Sequence, residues 1–116
     1  MRGDEKRVID AYAAWLEQGN WRVRREVDFA DVYAERGEER LYVEAKGRTS
    51  SPGLDVDTLY GELLRRMKDP ELSARYAVVV PTAALNTALR LPATVRDRLC
   101  VDVYQVDDAA AVHLRS

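Results

Sequence analysis

At 116 residues the chain can bury one core but is too short for a catalytic domain plus a separate recognition domain, so a single domain over 1–116 is expected. Eighteen basic residues against 20 acidic ones leave a net charge of −2, which excludes a strongly basic nucleic-acid-binding domain; any basic patch must be local. The single cysteine, Cys100, excludes an internal disulfide and a cysteine-based zinc site and fits a reducing compartment, with the cytoplasm as the expected location.

In MRGDEKRVIDAYAAWLEQGN the charges are scattered, and no apolar run is long enough for a signal peptide or a membrane span. Val8, Ile9, Tyr12, Ala13, Trp15 and Leu16 recur at helical spacing, which predicts a first helix capped by Asp4 and ended by Gly19. WRVRREVDFADVY alternates apolar and polar residues and predicts one strand over about 21–27 and another over about 28–34. AERGEER is a charged turn around Gly37, RLYVEAKG a third strand, and GRTSSPG a loop. Val56, Leu59, Tyr60, Leu63, Leu64 and Met67 line one face of a second helix, with Asp55 or Asp57 as cap and Pro70 beyond its end. YAVVVP is short, continuously apolar and β-branched, as a buried strand requires. TAALNTALRLPATVRDRL supplies one or two short helices broken near Pro92, VDVYQV a strand, and AVHL a last short strand. A mixed sheet flanked by helices on both faces accommodates this α-β-β-β-α-β-α-β order.

The period-2 geometry of the third strand puts Tyr42, Glu44 and Lys46 on one face and Leu41, Val43 and Ala45 on the other, the apolar trio facing the core. On the preceding strand Asp31 shares a face with Phe29 and Tyr33. A hairpin centred on Gly37 and Glu38 sets Asp31 opposite Glu44 and Tyr33 opposite Tyr42; a slip of one residue would send the two carboxylates to opposite faces. Opposed side chains stand roughly 4.5 to 5.5 Å apart at Cβ, where like charges destabilise. A divalent cation compensates them directly, because two carboxylates and a backbone carbonyl are hard oxygen ligands and Mg2+ accepts such a partial shell. Lys46 is the nearest cation in sequence, in a chain that uses arginine 15 times and lysine 3 times.

Asp31, then Glu44-Ala45-Lys46 on a hairpin between an N-terminal helix and a second amphipathic helix, resembles the PD-(D/E)XK nuclease superfamily. That group includes restriction endonucleases, Holliday-junction resolvases and small repair nucleases. The resemblance spans roughly residues 4–80 and implies a three-layer, restriction endonuclease-like α/β core. It implies Asp31 and Glu44 as metal ligands, the Ala45 carbonyl as a third, and Lys46 as the group that activates or orients the attacking water. A desolvated ammonium can give up its proton where a guanidinium stays charged, which accounts for a lysine at such a post. Many members also place a glutamate on the first helix; Glu5 is the candidate and Glu17 the alternative. The second helix often carries Gln or Lys, whereas this chain has Glu62, which cannot donate a hydrogen bond when ionised. Ala30 also stands where the family name has proline.

Taken by themselves, Glu44 and Lys46 also fit a solvated strand face, Glu5 a carboxylate favoured at a helix N-terminus, and Glu62 with Arg66 an ordinary i,i+4 pair. Arg22, Arg24 and Arg25 form the densest basic patch, joined by Arg48, Arg65, Arg66 and Lys68. They are candidate contacts to nucleic-acid phosphates, although a charged strand edge guarding against aggregation explains the first three equally well. Trp15 and Trp21 read as packing, Cys100 as a small buried residue and His113 as a surface residue. The expected function is a Mg2+-dependent DNA endonuclease, Mn2+ substituting. Targeting would rest on DNA shape or on a partner protein, and a homodimer would supply two active sites. The alternative is a nuclease-fold module that binds protein or nucleic acid without cutting, or, less directly, an unrelated interaction domain in which Asp31 and Glu44 do not converge.

Overall fold

Val8, Tyr12 and Leu16, one helical turn apart, become the buried stripe of α1 (Arg2–Gln18) in the computed structural model, which describes residues 2–27, 30–48, 50–68 and 74–116. Two expectations about this helix are corrected. Asp4 lies in its first turn rather than capping it. At the other end Asn20, not Gly19, adopts the left-handed conformation at φ 70°, with Asn20 N–H bonded to the Glu17 carbonyl and Trp21 N–H to the Leu16 carbonyl. Those two bonds are the closing pair of a Schellman end, and asparagine tolerates the left-handed region because its short side chain is compatible with it.

The strands are β1 (Arg22–Val27), β2 (Ala30–Arg36), β3 (Glu39–Ala45), β4 (Ala74–Pro81), β5 (Val101–Val106) and β6 (Val112–Leu114), in spatial order β1-β2-β3-β4-β5-β6. Neighbours β1, β2 and β3 are antiparallel, β3, β4 and β5 parallel, and β6 antiparallel to β5. Gly37, at φ 61°, turns the β2–β3 hairpin and pairs Val32 with Val43 and Tyr33 with Tyr42, the expected register. Phe29 and Pro70 lie outside the described residues.

Both faces of the sheet are covered. Val32, Ala34, Leu41, Val43, Ala45, Ala77 and Val79 pack under α1. Tyr76, Val78, Val80 and Val103 pack under α2 (Pro52–Arg65), with Ala84 and Ala88 completing the cluster from a 3-10 turn (Thr82–Ala84) and α3 (Leu85–Ala88). The helix α4 (Ala93–Leu99) follows Pro92, and its last residue Leu99 joins the same cluster. α2 starts with Pro52 in its first turn and Ser51 as N-cap without a side-chain capping bond, so neither Asp55 nor Asp57 caps it. Proline serves there because its missing N–H would have no helical partner. The second correction of substance concerns β3: the Tyr42 and Glu44 side is an interior face, and Glu44 is only 1% exposed.

This is the α/β architecture expected from the chain order, a mixed sheet between two helical layers. No helix among the described residues is long and apolar enough to cross a membrane.

Candidate functional site

The hairpin register, continued one step past Val32 and Val43, sets Asp31 at the head of β2 against Glu44 near the end of β3. The Asp31 carboxylate takes the place of a ladder partner: its Oδ2 accepts a hydrogen bond from the Ala45 N–H at 2.8 Å. Asp31 lies near enough to act on the Glu44 carboxyl both by its charge and by hydrogen bonding. Burial, the Asp31 charge and that bond push the Glu44 carboxyl up to about 8, with Glu62 adding to the rise and Arg66 opposing it. One Glu44 oxygen, Oε1, is buried without a hydrogen bond and lies 3.4 Å from Arg66 Nε. The face below is walled by a row of tyrosines, Tyr33 to Tyr42 at 4.9 Å and Tyr42 to Tyr76 at 5.9 Å between ring centroids.

Glu5 reaches the same place from the other layer. Burial and the Asp31 charge raise its carboxyl, and the Lys46 ammonium partly offsets them. Glu62 on α2 is near enough to act on both Glu5 and Glu44. Glu5, Asp31, Glu44 and Glu62 therefore face Lys46 and Arg66, an excess of two negative formal charges before any proton is counted. Glu17 sits exposed near the far end of α1.

Convergence of the two layers depends on the segment after β3. Lys46 N–H bonds the Val79 carbonyl, so β4 holds the strand exit in place. Gly47 then passes directly over the first turn of α1. A Cβ there would stand 2.7 Å from the Asp4 carbonyl carbon and 2.8 Å from Glu5 Cα, and closer still to the Glu5 nitrogen. Arg48 N–H bonds the Asp4 carboxylate, which also takes Arg7 Nε at 3.0 Å, and Arg7 Nη1 donates to the Asp107 carbonyl at 2.9 Å. Asp4 thus fastens the loop to the helix, and Glu5 and Lys46 are brought together as a result. Sequence reasoning missed this fastening, although a glycine next to the candidate lysine was a visible sign of close backbone approach.

The arginines divide. Arg22 and Arg24 pair opposite Glu35 and Tyr33, on the Asp31 face, whereas Arg25 pairs opposite Val32, on the α1 face, and bonds Asp10. The expected three-residue patch is therefore split across the sheet by strand alternation. Arg48 and Arg65 are exposed, the former 3.8 Å from Asp108. Arg66 turns inward, its side chain 16% exposed and its Nε 3.4 Å from Glu44 Oε1. His113 bonds Asp107 at 2.8 Å, Trp15 stacks on Tyr12, and Trp21 lies under Arg36 at 4.4 Å. An apolar groove of about 500 Å3 between α2 and α4, lined by Tyr60, Leu64, Leu91 and Val95 among others, contains none of the candidate site residues.

Among the described residues no three acidic, histidine or cysteine side chains stand close enough to enclose a metal ion. Asp31 and Glu44 nevertheless fit one: they offer hard oxygens, one of them, Glu44 Oε1, buried without a hydrogen bond, and their charges act on each other. Two carboxylates supplemented by a backbone carbonyl and waters suit Mg2+, which keeps much of its hydration, better than an ion needing a full protein cage.

No protein-family model matches the chain, and no curated protein matches it significantly. Solved structures do. An FdxN element excision controlling factor protein from Anabaena variabilis superposes with TM-score 0.65 at 17% identity, covering 93% of this chain and 96% of that one. An XisH family protein from Nostoc punctiforme gives 0.59 at 19% identity over 95% and 99%. The likeness is one of fold, a restriction endonuclease-like core with a mixed six-stranded sheet.

Gly47→Ala is expected to force α1 away from the strand exit and to lower stability by roughly 1–3 kcal/mol in urea unfolding, the usual range for overpacking; a parent-like midpoint would mean the backbones are not in contact. The Glu44 carboxyl gives a pH dependence. Between about 4.5 and about 8 the folded chain holds a proton that the unfolded chain has released, so this group's contribution is full below that window and is lost as pH rises through it. Glu44→Gln has no such loss. In thermal melts without divalent ions, its melting temperature relative to the parent should rise by about 5 °C or more between pH 5 and pH 9; parallel curves would refute the buried acid.

Proposed function

We propose that the chain is a metal-dependent DNA endonuclease that hydrolyses phosphodiester bonds at Asp31, Glu44 and Lys46. The observation that carries this reading is Glu44, a buried carboxyl in register with Asp31 and bonded to it, with Lys46 and Glu5 alongside. Evolution of a core purely for stability has no use for two carboxylates at that spot, since burying unpaired charge is costly. The structural likeness to an excision controlling factor supports a role on DNA.

Asp31, Glu44 and the Ala45 carbonyl would hold Mg2+ or Mn2+. When bound, the ion supplies Lewis-acid polarisation of the phosphodiester and a nucleophile at neutral pH. Lys46 orients the attacking water and stabilises negative charge developing on the phosphate. Glu5, across the site, accepts a hydrogen bond from water. As water oxygen bonds to phosphorus and the ester oxygen departs, one proton leaves the water and one returns to the leaving oxygen. Arg22 and Arg24, on the Asp31 face, together with exposed Arg48 and Arg65, hold backbone phosphates, which fixes orientation without reading sequence. Arg25 is committed to Asp10. Targeting then comes from DNA shape or a protein partner, and a homodimer would cut both strands.

One observation favours a second reading, a module that binds without cutting: Arg66 already lies against Glu44. Nuclease assays with Mn2+ on single-stranded, duplex and branched DNA separate the two. Endonuclease activity is expected, falling about 10²-fold or more in Lys46→Ala, the range typical of a lost proton-handling group, and disappearing in Asp31→Ala. Activity unchanged by Lys46→Ala would point to a contaminant, and a parent with neither cleavage nor Mn2+ binding would support the silent module.

A further inference from the structure

Helix α2 has two working flanks. Glu62 and Arg66 turn toward the carboxyl pair. About 100° round the helix axis, Asp57, Gly61 and Arg65 form a row with four-residue spacing. The surface around that row is apolar although solvent reaches it. Leu54 is 68% exposed, Leu64 51%, and Val95, across the apolar groove on α4, 38%; these are three of the five large apolar side chains exposed among the described residues. Exposed apolar groups gathered in one place mark a surface that another molecule covers.

Gly61 lies in the middle of this flank. Glycine inside a helix destabilises it relative to alanine, and the packing of the chain requires none here: a Cβ would meet only Arg65 Nη2, at an ordinary 3.9 Å. Gly47 is the contrast, because backbone atoms of α1 stand against it. A glycine that internal packing does not need permits close approach by a second backbone. The charges beside it indicate which backbone. Asp57 and Arg65, one turn before and one turn after Gly61, are exposed, and neither takes part in an ion pair among the described residues. Two copies of α2 crossing antiparallel at Gly61 set each residue before the crossing against the residue as many places after it. Asp57 of each copy then meets Arg65 of the other, whereas a parallel crossing would put like charges together. The row is complementary to itself, as a twofold contact requires, and helices pack readily on rows of this spacing.

We propose that α2 is a homodimer interface, in which a second copy of the chain crosses antiparallel at Gly61, covers Leu54 and Leu64, and exchanges ion pairs between Asp57 and Arg65 about the twofold axis. Arg65, one of the exposed arginines open to phosphate, is then used by the second copy instead. The contact does not depend on cleavage, because Asp31, Glu44 and Lys46 are not part of it.

Analytical ultracentrifugation over a concentration series tests this with the parent, Asp57→Arg, Arg65→Asp, the double variant carrying both, and an equimolar mixture of the two single variants. Circular dichroism melts verify that each is folded. The parent should associate to a dimer. Each single variant should associate about 10-fold more weakly or worse, since like charges then face each other, and the double variant should return toward the parent. The mixture should form dimers more readily than either component alone, because every reversed charge meets its opposite, a result that no effect within one chain produces. Gly61→Leu, at a dilution where the parent is monomeric, should melt no lower than the parent, yet it should not dimerise. A parent that stays monomeric at every concentration overturns the proposal, and the face then belongs to a different protein or to a small apolar ligand. A dimer that the single reversals leave unchanged overturns it as well. Neither result bears on the nuclease reading, which the cleavage assays test separately.

Discussion

Two carboxyl groups face each other inside this protein because a hairpin register leaves them no alternative. Val32 pairs with Val43 and Tyr33 with Tyr42, so Asp31 and Glu44 must meet on the face that α2 covers. Buried like charges repel, which raises the Glu44 carboxyl, and the Arg66 guanidinium 3.4 Å away opposes that rise. Under the proposed function the site is a seat for a cation, with its other residues arranged around it.

Bringing the two helical layers to one point takes a second constraint, backbone contact at Gly47. Residues on opposite faces of a sheet are normally insulated from each other by the strands between them. Here the chain leaves β3 just past Ala45, runs across the start of α1, and is tied to Asp4 through the Arg48 N–H. Glu5 from one layer and Lys46 from the strand exit become neighbours, while Glu62 and Arg66 arrive from the other layer. The tyrosine row below closes the pocket on the sheet side. Stability and function compete at this spot: the carboxyl pair weakens the fold as pH rises, and the well-packed clusters on either side hold it in place.

Much of this was legible in the residues. The apolar spacing of α1 and α2, the β-branched run of β4, and the Gly37 turn carried the element order and the register, because each rests on local periodicity or turn chemistry. Depth was not legible. Glu44 reads as half of a solvated strand face until α2 is known to lie over it, since burial of a given strand face depends on how the chain returns. The splitting of Arg25 from Arg22 and Arg24 follows from strand alternation and could have been anticipated; the density of basic letters obscured it. The partner chosen by Arg66 could not, because a helical spacing to Glu62 and a tertiary reach to Glu44 are equally open to one long side chain.

Manganese anomalous diffraction from crystals grown with Mn2+ addresses the cation seat most directly. A peak is expected between the Asp31 and Glu44 carboxylates, at about 2.1 Å from their oxygens as for an octahedral divalent ion. No peak there at saturating Mn2+ would contradict the account.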